Sequence, residues 1–245
     1  MLLVMLGITS CSDDDGYSLG KYWMDIVTVN DKNEGEIYDF TLDDGSKLSV
    51  VATSTNYKPK YKRAIVNYTI LGDIENPKKD TTDYYVKLNR VYDVLTKDVI
   101  YIAPDDKQKQ DSIGYDPVKI HSIWEGGDYL NIYYGVNVGG TATHYINLVS
   151  ASPITENENS DVVQLEFRHN KNDDPENYGA NNYVSFDLKP YKKSGSGMIK
   201  FEISVKEFGS DEPKKYTVEY NYSDAGNKQS GQRQKIEVPS EKISN

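Results

Sequence analysis

Between Asp116 and Val138 the chain reads DPVKIHSIWEGGDYLNIYYGVNV, and its apolar positions fall in two alternating runs. Val118, Ile120, Ser122 and Trp124 alternate with Lys119, His121 and Ile123. After a Gly-Gly step, Leu130, Ile132, Tyr134 and Val136 alternate with Tyr129, Asn131 and Tyr133. A period of two turns one set of side chains to a core and the other toward water, so the stretch reads as an antiparallel hairpin. Directly opposed residues share a face, which limits the register. A two-residue Gly126-Gly127 loop would pair Trp124 with Tyr129 and set the two apolar runs on opposite faces. One further loop residue pairs Trp124 with Leu130, Ser122 with Ile132, Ile120 with Tyr134 and Val118 with Val136. The pattern therefore predicts a loop of three or five residues containing a left-handed glycine bulge. In that register Trp124 anchors a core, and the opposite face carries His121, Tyr129, Asn131 and Tyr133 as the expected binding face.

The same alternation recurs along the chain. In residues 21–30 Met24 and Ile26 point one way and Trp23, Val27 and Val29 the other, as in a strand covered on both sides. Ile37–Leu42 and Leu48–Ala52 flank Asp-Asp-Gly-Ser, a strong hairpin signal. Ala64–Leu71 and Tyr84–Leu95 add two more strands, separated by the polar loop Gly72–Thr82. Five short strands without a helix predict a small OB-like β-barrel over residues 21–103. Residues 104–115 are polar and unpatterned, and read as a linker. From 116 to 223 the hairpin is followed by Thr143–Val149, Val162–Arg168, Asn182–Leu188, Met198–Val205 and Tyr216–Tyr222. Seven strands at this spacing predict an immunoglobulin-like antiparallel β-sandwich, lacking that fold's paired cysteines. Residues 224–245 are polar and are expected to form a flexible tail. The fold class is all-β.

Composition supports this reading: 21 tyrosines against 5 phenylalanines suit strands whose aromatic positions are half exposed. A net charge of -10 opposes nucleic-acid binding, which needs clustered Lys and Arg. One basic-aromatic cluster, Tyr57, Lys58, Lys60, Tyr61, Lys62 and Arg63, reads as a solvated inter-strand loop. With one cysteine no internal disulfide can form, so stability must come from the cores.

That cysteine has an informative position. Met1–Ser10, MLLVMLGITS, is uncharged and mostly apolar but shorter than the roughly 20 residues a spanning helix needs. It reads as a signal-peptide remnant. Ile8-Thr9-Ser10-Cys11 resembles a bacterial lipobox, with Cys11 as the lipidated residue, although no basic residue precedes it. Residues 11–20 then form a lipidated acidic tether. Its Ser12-Asp13-Asp14-Asp15-Gly16 resembles the acidic signal that sends some Gram-negative lipoproteins to the outer leaflet of the outer membrane.

Reactive chemistry is hard to find. The chain has no CxxC, HExxH, GxSxG or P-loop pattern. Its three histidines, His121, His144 and His169, lie in different strands and read as structural rather than as zinc ligands. Asn170–Asn177, NKNDDPEN, lacks the glycine and terminal glutamate of a calcium loop and reads as a polar turn. No catalytic residue, metal or cofactor is expected. Asp111-Ser112-Ile113 and Asp80-Thr81-Thr82 resemble acceptor sites for periplasmic O-glycosylation.

The lipobox-like start, the small barrel and the DSIGYDPVKI…W…GDYLNI string together resemble the NigD-like lipoprotein family. Leu165-Glu166-Phe167-Arg168-His169-Asn170 and Val184-Ser185-Phe186-Asp187-Leu188 fit the same family. The resemblance implies an amino-terminal OB-like domain, a carboxy-terminal β-sandwich and an outer-membrane lipoprotein. The family takes its name from a bacteriocin operon, and an immunity role has been suggested for it. The expected function is thus a non-enzymatic binding protein, monomeric and held to the membrane by its lipid, with a protein ligand. The alternative is a surface glycan-binding protein that stacks sugar rings on Tyr129 and Tyr133 beside Asn131.

Overall fold

The computed structural model describes residues 17–30, 39–56, 58–75, 81–154, 161–222 and 236–240. Cys11, the acidic run after it and most of the tail lie outside these residues.

The amino-terminal half forms five strands: β1 (Trp23–Asn30), β2 (Asp39–Leu42), β3 (Lys47–Thr53), β4 (Arg63–Ile74) and β5 (Asp83–Asp98). The Asp-Gly signal becomes a tight turn between β2 and β3, with Gly45 at φ 87° and the Asp44 carboxylate accepting Ser46 N–H at 2.8 Å. Strand order β3-β2-β1-β4-β5 is closed by a parallel β3–β5 pairing, which makes the sheet a barrel. Bulges in the β4–β5 ladder after Asn67 and Ile70 supply the bending that closure needs. Val27, Val29, Phe40, Leu48, Val66, Tyr68 and Val86 fill the interior. Met24 and Ile26 point out of the barrel into a second cluster, so β1 is covered on both sides as its pattern predicts.

β5 runs past the barrel. Its last residues, Leu95–Asp98, pair in parallel with a strand of the second half, and Val99 is buried in the sandwich core. Residues assigned by pattern to the end of the barrel therefore serve the sandwich. β6 (Ile100–Tyr101) then pairs with that sandwich's outer sheet. The stretch expected as an unpatterned linker contains a helix, α1 (Lys107–Ile113), capped by the Asp106 carboxylate accepting from Lys109 N–H. Two turns are too short to leave a periodic signal, and the helix is held by Ile113 packing with Ile102 and Val149.

The sandwich comprises β7 (Lys119–Gly126), β8 (Tyr129–Val138), β9 (Tyr145–Ser150), β10 (Val162–Asn170), β11 (Tyr178–Asp187), β12 (Gly197–Val205) and β13 (Lys214–Tyr222). One sheet has the order β13-β12-β10-β9-β6, and the other runs continuously from the barrel as β4-β5-β11-β8-β7. Leu130, Ile132, Tyr134, Phe167, Val184, Phe186 and Phe201 meet between the sheets. The sandwich is mixed rather than purely antiparallel: β10–β12, β6–β9 and β5–β11 are parallel pairs. β11 crosses to the opposite sheet between β10 and β12, so those two strands run the same way. Alternation reports facing and is silent on direction.

The tail expected to be flexible has one seated part among the described residues. Ile236 packs into the cluster of Ile26, Ile65, Val94, Tyr133 and Tyr183, and Ser240 N–H donates to Asn181 O at 2.9 Å.

Candidate functional site

The β7–β8 turn is the point where the halves of the molecule meet. Gly126 pairs with Tyr129, so the loop has two residues, Gly127 at φ 57° and Asp128 at φ 71°. Both central residues are left-handed, the geometry whose twist suits a two-residue hairpin, and aspartate tolerates it better than most side chains. The expected three- or five-residue loop is therefore wrong, and with it the pairing beside the turn. Trp124 opposes Asn131 and Glu125 opposes Leu130. A bulge between Ile120 and Ser122 absorbs the one-residue difference, so the predicted Ile120–Tyr134 pair does form. Trp124 consequently turns away from the sandwich core and meets Tyr183 edge-on at 6.4 Å between ring centres.

The turn presses on the barrel. A side chain at Gly126 would place its Cβ 2.1 Å from Asp43 Oδ2, so only glycine allows this approach. Asp43, in the β2–β3 turn, forms an ion pair at 2.7 Å with the fully buried Arg63 at the start of β4. The Arg63 guanidinium also donates to Thr28 Oγ1 at 2.9 Å and to Asn131 Oδ1 at 3.3 Å, and its carbon sits 4.9 Å from the Tyr129 ring centre. Asn131 Oδ1 accepts a second bond from Ser185 Oγ at 2.7 Å. Barrel and sandwich thus share one charged joint in addition to the β5–β11 ladder.

Acidic groups crowd that joint. Burial, followed by the charges of Asp43 and Asp128, pushes the Glu125 carboxyl up to about 8. Asp128 is paired with Lys192 at 2.7 Å and accepts from Tyr220 OH at 2.8 Å. Burial and the Asp128 bond both raise the Tyr220 hydroxyl far above its ordinary range. The neighbouring Asp43 and Asp128 carboxylates have cationic partners in Arg63 and Lys192.

Farther along β8, Tyr133 lies flat on Tyr183 with ring centres 4.4 Å apart, and His121 leans on its other side at 4.6 Å. Tyr133 OH donates to the Glu237 carboxylate at 2.9 Å, and Glu237 N–H donates to Tyr183 OH at 3.0 Å. Burial holds the Tyr183 hydroxyl up to about 12. The four residues of the expected binding face do share one side of the sheet, but that side is covered. Tyr129 and Asn131 lie under the barrel, at 2% and 0% exposure, and Tyr133 lies under the tail at 9%. His121 stays exposed at the rim and bonds Asn181 Oδ1 at 3.0 Å. The residues that pattern reading missed, Asp43, Arg63, Glu125, Tyr183 and Glu237, are all set by long-range partners. Arg63 stood in the basic-aromatic cluster, whose Lys60, Tyr61 and Lys62 now line a cleft of about 280 Å³ beside Tyr129 and Asp187; Tyr57 lies outside the described residues.

The other two histidines meet each other. His144 Nδ1 lies 2.9 Å from His169 Nε2, and His144 Nε2 lies 3.3 Å from Asp174 Oδ2. The Asp174 oxygen also accepts Gly139 N–H at 2.8 Å, and that bond, with His144, holds its carboxyl below the usual range. Burial and the neighbouring His144 lower His169 to about 4, which leaves it neutral near pH 7. This buried chain clasps the β8–β9 connection and the Asn170–Asn177 turn to β10. Among the described residues no group of three or more histidine, cysteine or acidic side chains has metal-binding geometry.

Comparison with known proteins agrees with this architecture. Residues 26–94 match the NigD-like N-terminal OB domain and residues 101–220 the NigD-like C-terminal beta sandwich domain. A protein of Parabacteroides distasonis ATCC 8503, described as toxin related, is 33% identical with TM-score 0.67 over 82% of this chain and 94% of its own. A protein of unknown function from Bacteroides vulgatus ATCC 8482 is 25% identical with TM-score 0.65, over 84% of this chain and 94% of its own. A NigD-like immunity protein from Bacteroides caccae ATCC 43185 shares the fold at 23% identity and TM-score 0.62, over 86% of this chain and 100% of its own. No curated protein matches the chain. An OB barrel and a β-sandwich joined in this order, matched over most of the chain, make this protein a member of the NigD-like family.

Proposed function

We propose that this protein is a lipid-anchored, non-enzymatic binding protein of the outer membrane whose role is immunity to a bacteriocin. The observation that carries the reading is Ile8-Thr9-Ser10-Cys11 followed by three aspartates, a lipidation signal and an acidic tether directly ahead of the barrel. A triacylated Cys11 would give durable attachment, since a single acyl chain holds a protein only marginally. The buried ionisable groups support binding over catalysis. Arg63, Asp43, Asp128 and the histidine pair are engaged with one another and with neighbouring side chains in joints and clasps. Descriptions of the relatives as an immunity protein and as toxin related support a proteinaceous, antibacterial partner. The test is palmitate labelling and membrane fractionation of the native chain and Cys11→Ala, with bacteriocin sensitivity of a deletion strain beside it. Labelling at Cys11, outer-membrane recovery and increased sensitivity on deletion are expected. An unlabelled, soluble wild-type protein would sink the anchor, and unchanged sensitivity would sink the immunity role.

A glycan-binding reading keeps one supporting observation, at a different place from the one first expected. Tyr129 and Tyr133 are covered, but the barrel has an open cleft of about 510 Å³ lined by Tyr22, Asn67, Thr69, Lys87 and Asn89. Asn89 bridges Asn67 and Thr69 at 3.1 Å each, and Tyr22 is 66% exposed. Amides beside an open aromatic ring suit sugar hydroxyls and a sugar face. Glycan-array binding that Tyr22→Ala abolishes is the expected result, and silence of the folded protein on the array removes this reading.

A further inference from the structure

β11 has an edge that the sheet leaves partly open. β8 pairs with it along its whole length, Tyr178–Asp187, whereas β5 pairs only with Val184–Asp187 before bending away into the barrel. Among the described residues no strand pairs with that second side of β11 over residues 178–183. Alternation along a strand sends the amides of Gly179, Asn181 and Tyr183 to the same side. Tyr183 N–H is closed off by the Asn182 side chain at 2.8 Å, which leaves the Gly179 and Asn181 positions for a further strand. An unpaired edge of this kind is a template for a further strand.

Part of this chain already lies there. Ser240 N–H donates to Asn181 O at 2.9 Å, while Asn181 N–H donates to Ser240 Oγ at 3.0 Å. Ile236 enters the apolar mouth between the halves beside Trp124, Tyr133 and Tyr183, and Glu237 is held by both tyrosine hydroxyls. The contact is shallow: Val238 is 54% exposed, and none of residues 236–240 is buried. The carboxy-terminal segment behaves as a ligand seated in cis, attached to β11 by one backbone bond and the Ser240 hydroxyl, with one apolar-acidic step for selection.

We infer that the β11 edge over Gly179–Tyr183, with the Trp124-Tyr133-Tyr183 aromatic wall, is a strand-docking site for an extended segment of a partner protein. The partner segment has an apolar residue followed by an acidic one, and it displaces Ile236–Ser240. This deepens the binding-protein reading and rests on it for the existence of a partner. The apolar residue fills the mouth occupied by Ile236, and the acidic one accepts from Tyr133 OH.

A fluorescent peptide of sequence KIEVPSE, the tail's own, probes the slot in trans on the full-length chain. The cis segment competes at high effective concentration, so Ile236→Ser with Glu237→Gln in the protein should tighten peptide binding by about tenfold. Adding Tyr133→Phe should remove most of that gain, and bound peptide should slow hydrogen exchange at the Gly179 and Asn181 amides. Equal affinity for the altered and unaltered chains overturns the inference, as does binding without protection of those two amides. If the double variant fails to fold, Glu237→Gln alone serves, because that side chain is exposed and its loss leaves the mouth filled; a smaller gain of the same sign is then expected. Dimerisation of the altered chain at the assay concentration would assign the slot to a second copy and also overturn it. Failure of the peptide alongside intact Cys11 labelling and bacteriocin protection would remove the β11 slot alone.

Discussion

Replacing Asp43 by alanine tests whether the charged joint holds the molecule together. The substitution leaves the Arg63 guanidinium at 0% exposure with Thr28 Oγ1, Asn131 Oδ1 and the Tyr129 ring as its remaining partners. Removing one side of a buried pair typically costs about 3–5 kcal/mol, because the remaining charge is stranded. The neutral contacts that survive place the expected loss at about 3 kcal/mol, a large part of a total near 5–15 kcal/mol. For a chain of this length each kcal/mol lowers the melting temperature by about 2–4 °C, so the midpoint should fall by about 6–12 °C. Denaturant titration followed by both tryptophan emission and circular dichroism provides the free energy. The same Asp43→Ala change made in an Arg63→Met background should cost less than about 1 kcal/mol, since no charge is then stranded, and the coupling should be at least about 2 kcal/mol. An equal cost in both backgrounds would refute the stranded-charge argument.

Three further outcomes follow from the same region and the histidine clasp. Gly126→Ala should destabilise by about 1–3 kcal/mol in denaturant melts, because its Cβ would sit 2.1 Å from Asp43 Oδ2, whereas Gly179→Ala should change little. Glu125, held up to about 8 from 4.5 by burial, binds its proton more tightly folded than unfolded. Its contribution is therefore full below pH 4.5 and is lost as pH rises through 8. Glu125→Gln should gain about 1–2 kcal/mol relative to the native chain between pH 5 and 9, after allowance for solvent screening. His169 has the opposite sign, since a folded value near 4 lies below 6.5 and the unfolded chain takes up the proton first. Stability should fall as pH drops from 6.5 to 4, and an NMR titration of the His169 ring should show a midpoint near 4.

The cores were legible because alternation reports facing. Val27 and Val29 in the barrel, Met24 and Ile26 in the seam, and Leu130 with Ile132 in the sandwich all follow from period two. The hairpin was half legible. Ile120–Tyr134 pairs as expected, but the bulge beside His121 adds one polar residue and leaves no trace in the apolar pattern. That single residue moved Trp124 from the sandwich core to the seam. The joint itself was hidden, since the partners that explain the burial of Arg63 lie far away in the chain: Thr28, Asp43, 20 residues earlier, and Asn131. A polar face looks the same in sequence whether water or another domain covers it, which is why Tyr129 and Asn131 read as an open surface. The tail's Ile236-Glu237 step was too brief to stand out from its polar surroundings.

β5 has a consequence for how the molecule can come apart and how it can have been assembled. The match to the barrel ends at residue 94 and the match to the sandwich begins at 101, yet the backbone between them, Leu95–Asp98, is a central strand of one sheet and Val99 a wall of the next core. A cut between the two halves would leave the sandwich with a missing rung and the barrel with a dangling one. Protease nicking should therefore yield no free-standing barrel, and a graft of either half onto another protein would have to bring part of β5 with it. The two domain names mark two cores, while inheritance and unfolding act on the single ladder that β5 threads through both.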